Sequence, residues 1–150
     1  GQESAEYVES LRLVSAIWDG IARRLPTGAV MVGTADHGHV DFSEAQRVRI
    51  PKELEHDRIF YGDSRAMFVR GDESPQFAPL PATWIPVEEM REWWGPGPRH
   101  EAFAERVPDG VLLADDDTVL LHSHSDKRLI GQHGGLTDEE RQVPLLVAGG

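Results

Sequence analysis

Asp36 and His37 stand side by side in TADHGHVD, and a second well-placed imidazole, His133, follows near the end of the chain in GQHGG. A carboxylate and imidazoles form an oxygen and nitrogen donor set that zinc accepts. Neighbouring side chains point to opposite faces of a continued strand, yet both can turn toward one point where a strand yields to a glycine-containing loop. Gly38 supplies that break. The same residues admit a reading without a ligand, in which Asp36 caps the next element and His37 bonds a loop carbonyl. Around His133, Gly131, Gly134 and Gly135 let the backbone approach another group closely. His122 and His124 form an H-x-H pair that could bind metal from one face of a strand. Their neighbours Ser123, Ser125, Asp126 and Lys127 instead suit a solvated loop. A site built on His122, His124 and His133 is thus a third possibility, needing one metal and making Asp36 dispensable. His56 and His100 have no ligand-like neighbours and are expected at the surface.

The segments flanking these residues show how they would be positioned. Ser4 can cap a helix from about Ala5 to Arg24, since Val8, Leu11, Val14, Trp18, Ile21 and Leu25 recur every three to four residues. Pro26, Thr27 and Gly28 break that pattern, and AVMVGT over 29–34 is a short apolar run expected as a buried, parallel strand. A helix feeding such a strand is the repeating unit of doubly wound α/β folds, whose ligands sit beyond the carboxyl ends of the strands. Asp36 and His37 fall there. Near the other end, Thr137 and Glu140 have the spacing of a capping box, and residues 143–148 are again apolar, with Pro144 at a strand beginning or edge.

Between these segments, residues 43–128 are crowded with Pro and Gly and carry only short periodic stretches. We expect an inserted small α+β subdomain here, flanked by 1–42 and 129–150. Ala66–Val69 and Val111–Ala114 are expected strands, and Thr118–Leu121 could return from the second through a turn at Asp115, Asp116 and Asp117 to complete an antiparallel unit. Pro86 should start a short acidic helix, Val87–Trp94, that Gly95 ends, with Trp93 and Trp94 directed into core or cleft.

Composition narrows the function further. The 150 residues carry 15 Lys plus Arg against 26 Asp plus Glu, a formal charge of −11 that repels a nucleic-acid duplex and anionic lipid at long range. No cysteine is present, which removes thiolate nucleophiles, disulfides and Cys-type zinc sites. No apolar run approaches the roughly 20 residues that a bilayer span requires. A soluble chain is expected; the compartment stays open, with a cytoplasmic setting favoured.

SAEYVESLRLV, then TADHGHVD, then LIGQHGGLTDEERQVPLLV resemble, in order and texture, the C-terminal half of the alkaline phosphatase superfamily, and most of all its nucleotide pyrophosphatase/phosphodiesterase branch. The likeness covers about residues 1–42 and 128–150. It implies a partial alkaline-phosphatase-like doubly wound sheet and a site for two Zn2+ ions, with Asp36 and His37 resembling the pair on one ion and His133 the histidine on the other. Members of this superfamily transfer a phosphoryl group to a Thr or Ser nucleophile. The implied substrate is a phosphate-ester small molecule or nucleotide. His39 departs from the motif and takes no role, and Thr34 is not at the nucleophile's place. The family's nucleophile, its first metal-binding Asp and a further Asp and His all precede the part resembled. We therefore expect no catalytic residue in this chain, weak zinc binding, and association with a missing N-terminal segment or with a second copy. The competing class is a non-catalytic metal-binding or protein-interaction module.

Overall fold

A computed structural model describes residues 1–71 and 77–150. Ser4 caps helix α1 (Ala5–Ala22), its side chain accepting from the Tyr7 amide. Strand β1 (Val30–Thr34) follows and pairs antiparallel with the last strand, β10 (Leu145–Gly149). The expectation of a buried parallel strand is corrected on both counts. In the register Val32 faces Val147 and Thr34 faces Leu145, and Val32, Leu145 and Val147 are 60%, 71% and 65% exposed. Trp18 of α1 lies over Gly33 on the other face of this ribbon. Continuous apolar character signalled a strand meant for two covered faces, and here only one is covered.

The next ladder inward is short. Strand β2 (Val40–Asp41) pairs antiparallel with β9 (Gly131–Gln132). Between them the chain builds β3 (Arg47–Arg49), the single turn α2 (Lys52–Glu55), β4 (Ile59–Gly62), β5 (Ala66–Arg70), β6 (Ala82–Pro86), α3 (Phe103–Arg106), β7 (Gly110–Ala114) and β8 (Val119–Leu121). Four of these strands form an antiparallel sheet in the order β4-β5-β7-β6. Strand β8 does not return along β7 as the Asp115–Asp117 turn suggested; it pairs in parallel with β3. The turn forms, with the Thr118 amide bonding the Asp115 carbonyl, but β5 and β6 already flank β7 on both sides. No ladder edge is left for β8.

The core lies in this middle region. Ile50, Met67, Val69, Phe77, Leu112 and Leu120 are buried together, with Trp84 against them. A second cluster of Phe42, Val119 and Leu121 joins it to the β2/β9 ladder. Residues Val87–Trp94 form a 3-10 helix preceded by Pro86 and ended by Gly95 at φ 71°, as the Pro and Gly signals required. Of its two tryptophans, Trp94 packs between Phe68 and Phe103 whereas Trp93 is half exposed. Helix α4 (Asp138–Arg141) carries the expected box from Thr137 and Glu140. Among the described residues no helix is long and apolar enough to cross a membrane.

Candidate functional site

Strand β1 ends at Thr34, and the loop after it is pinned rather than free. The Gly38 amide donates to the Glu140 carbonyl over 2.9 Å, and any side chain at Gly38 would strike the Glu139 carbonyl. Glycine is therefore required by close approach to α4. This contact fixes the direction of His37. Its Nδ1 lies 2.7 Å from the Gly38 carbonyl oxygen, and its amide donates to Asp36 Oδ1. With Nδ1–H donating to that carbonyl, the lone pair resides on Nε2, the arrangement a ligating imidazole needs. Asp36 Oδ2 stands 3.7 Å from the same Nε2.

His133 arrives from the opposite end of the chain, just past β9. Its ring stacks on that of His37 with centroids 3.7 Å apart and planes inclined by 16°. The two imidazoles and Asp36 thus share one location, although the local hydrogen bonds of Asp36 and His37 alone would fit the reading without a ligand. His133 Nε2 also faces Asp63 Oδ1 at 3.8 Å. Asp63 lies in the turn between β4 and β5 and was not singled out by the sequence. Its only signal was a carboxylate in the turn signature YGDS ahead of an apolar strand.

The donor chemistry suits divalent zinc, but the donors are arranged as two pairs. Among the described residues no three His, Asp or Glu side chains gather closely enough to hold an ion by themselves. His122, His124 and His133 form no such group either. His122 and His124 instead line a cavity of about 280 Å³ beside His133, together with Asp63, Ser64 and Asp126. Burial pushes the His122 imidazole below its usual pKa. Hydrogen bonds from Arg128 bring the Asp126 carboxyl down to about 2. His39 sits apart, edge-on to Tyr7 at 5.5 Å, and His56 and His100 are exposed.

Beneath the two loops is a pair that the sequence also did not reveal. Arg65 and Glu140 form an ion pair with side chains 0% and 1% exposed, Nε to Oε1 at 3.1 Å. Burial raises the pKa of Glu140, yet hydrogen bonds from Arg65, the Gly135 amide and Thr137 outweigh it and hold the carboxyl below its ordinary value. The signal available was an Arg opening an otherwise apolar strand, RAMFV, which a solvated strand end explains equally well.

No family model and no curated protein matches this sequence. Solved structures do. Murine ectonucleotide pyrophosphatase/phosphodiesterase 5, as an inactive variant in complex with AMP, aligns with 99% of this chain at a TM-score of 0.67 and 21% identity, over 42% of its own length. The human protein of that name gives the same TM-score of 0.67 at 19% identity, covering 99% of this chain and 42% of its own. Phosphonoacetate hydrolase from Sinorhizobium meliloti, in complex with phosphonoacetate, gives 0.59 at 19% identity over 95% of this chain and 40% of its own. The chain spans about two fifths of the length of these structures. Across nearly all of its residues the chain takes the fold of the corresponding portion of these structures.

Proposed function

We propose that this chain forms part of a two-zinc phosphodiesterase or phosphatase of the nucleotide pyrophosphatase kind, with Asp36 and His37 holding one ion and His133 the other. The observation that carries the reading is the stacking of His37 on His133 at 3.7 Å, two imidazoles brought together from opposite ends of the chain. Bound there, the ions would supply positive charge and polarise a phosphoryl oxygen, which a protein of charge −11 does not otherwise offer to an anionic ester. The residues present orient and ligate. The Gly38 carbonyl sets the His37 tautomer, and the α4 contact at Gly38 holds Asp36 and His37 toward the late loop.

No residue of this chain is assigned as nucleophile, and each ion would complete its ligand set from the part of the family fold that the chain does not span. A nucleotide or similar phosphate ester is the proposed substrate class, in keeping with the AMP bound by the murine relative. Residues 43–128 are proposed as an inserted subdomain. Among the described residues, their six strands pair only with one another, while β1 and β2 pair only with β10 and β9.

Zinc titration of the chain by calorimetry tests the reading. Uptake weaker than micromolar is expected, because a catalytic zinc normally has three protein ligands and the residues assigned here supply two for one ion and one for the other. Asp36→Ala and His133→Ala should each reduce it. Tight, stoichiometric uptake that survives His37→Ala would overturn the assignment.

A further inference from the structure

We propose that Arg65 and Glu140 are positioning residues for His133, forming a buried clasp through which the middle region sets the geometry of the paired histidines. For the metal this rests on the reading above; the placement of the rings does not. The guanidinium forks onto the carboxylate through Nε–Oε1 at 3.1 Å and Nη2–Oε2 at 3.2 Å. Its Nη1 donates to the carbonyls of Asp115 and Thr118, and its Cζ lies 5.0 Å from the Phe42 ring centroid. Arg65 is thus held by the β7–β8 turn on one side and presents its fork to α4 on the other.

Glu140 passes this order to both histidine loops. Its Oε1 accepts from the Gly135 amide at 2.8 Å, two residues beyond His133, and its Oε2 from Thr137 Oγ1 at 2.9 Å. Its backbone carbonyl accepts from Gly38, next to His37. One residue therefore tethers the late loop by its side chain and the early loop by its main chain. The late loop lies flush on the turn that carries Arg65: Gly134 has φ 100°, and a Cβ there would come within 2.8 Å of Asp63 Cβ. A left-handed backbone pressed against the turn leaves His133 few ways to reorient.

The chemistry of the pair argues for placement over simple stabilisation. Burying two charges costs free energy that their attraction only partly offsets, and apolar replacements of such pairs often stabilise. What a forked Arg–carboxylate pair supplies is fixed relative orientation. Here the orientation relates the β4–β5 turn to the loop bearing a proposed ligand.

Imidazole NMR of the full chain tests this, comparing wild type with Glu140→Gln and with Arg65→Lys, which retains the buried charge and loses the fork. The ring signals of His133 and His37 should move and their mutual stacking contact should weaken, while the amide signals of Met67 and Leu112 in the central sheet stay in place. Zinc affinity should fall roughly 10- to 100-fold, as for other partners that orient ligands from behind. A folded variant with unchanged histidine signals overturns the proposal. If Glu140→Gln fails to fold, Arg65→Lys decides. Ring signals that move while zinc affinity stays unchanged would support the clasp and count against His133 as a ligand.

Discussion

Glu140 carries its charge inside the protein, and that makes it the point at which acid acts. Its pKa in the folded chain is depressed, the favourable hydrogen bonds of Arg65, Gly135 and Thr137 overcoming burial. In the unfolded chain it returns to the ordinary value of a glutamate carboxyl. Its contribution to stability is therefore complete above that value and is lost as pH falls toward the folded pKa. Thermal melts between about pH 6 and 3 should show the wild type losing stability more steeply than Glu140→Gln; parallel slopes would mean the carboxylate is not the sensitive group. Gly38 makes a second residue-level test. Because an added methyl would meet the Glu139 carbonyl, Gly38→Ala should cost about 1–3 kcal/mol in urea unfolding and shift the His37 ring signals with it. At this scale the sequence was informative where a residue type has few uses, as for His37 and His133. It was silent for Asp63 and Arg65, whose roles arise from partners 70 and 75 positions away.

The elements divide into a well-buried set and a poorly covered one, and substitutions should divide the same way. Leu112 of β7 is fully buried between neighbours on both sides, so Leu112→Ala should cost about 2–5 kcal/mol. Val147 of β10 faces solvent, and Val147→Ala should change stability by less than about 0.5 kcal/mol. Equal losses at the two positions, measured by denaturant unfolding, would contradict the uncovered ribbon. Local signals located these elements well. The Ser4 cap, the apolar run ending at Thr34, the Thr137–Glu140 box and the Pro86 and Gly95 boundaries all depend on neighbours within a few residues. Pairing does not depend on neighbours. Nothing local to Val119–Leu121 says that its edge is taken up by β3, because that choice was made by the strands already flanking β7.

At the scale of the molecule, apolar side chains lie open on α1 and on the β1/β10 ribbon. Leu11, Leu13, Val14, Ile17 and Ile21 are exposed on the helix, and Val30, Val32, Leu145, Leu146 and Val147 on the strands. A two-stranded ribbon is at best marginal by itself in water, and exposed apolar side chains on it favour association. Sedimentation should therefore show association rising with concentration in the micromolar range, reduced by charged substitutions at Val32 and Val147. A strict monomer for the unsubstituted chain would exclude it.

The strand pairings also nest, with β1/β10 outermost, β2/β9 next, and the middle ladders enclosed between them. Pairing β1 with β10 from the unfolded chain would mean closing a loop that spans most of the molecule, an entropic cost that returns nothing until the last contact forms. In the folded chain the Phe42 amide donates to the Ile130 carbonyl, so once β4, β5 and β7 and then β3 and β8 have assembled, the remaining closures involve only short tails. The order of assembly should thus run from the inside outward. Amide exchange would display it in reverse, with protection greatest at Met67 and Leu112 and least at Val32 and Val147, so that the histidine loops sit at the boundary between the part of the chain that opens last and the part that opens first.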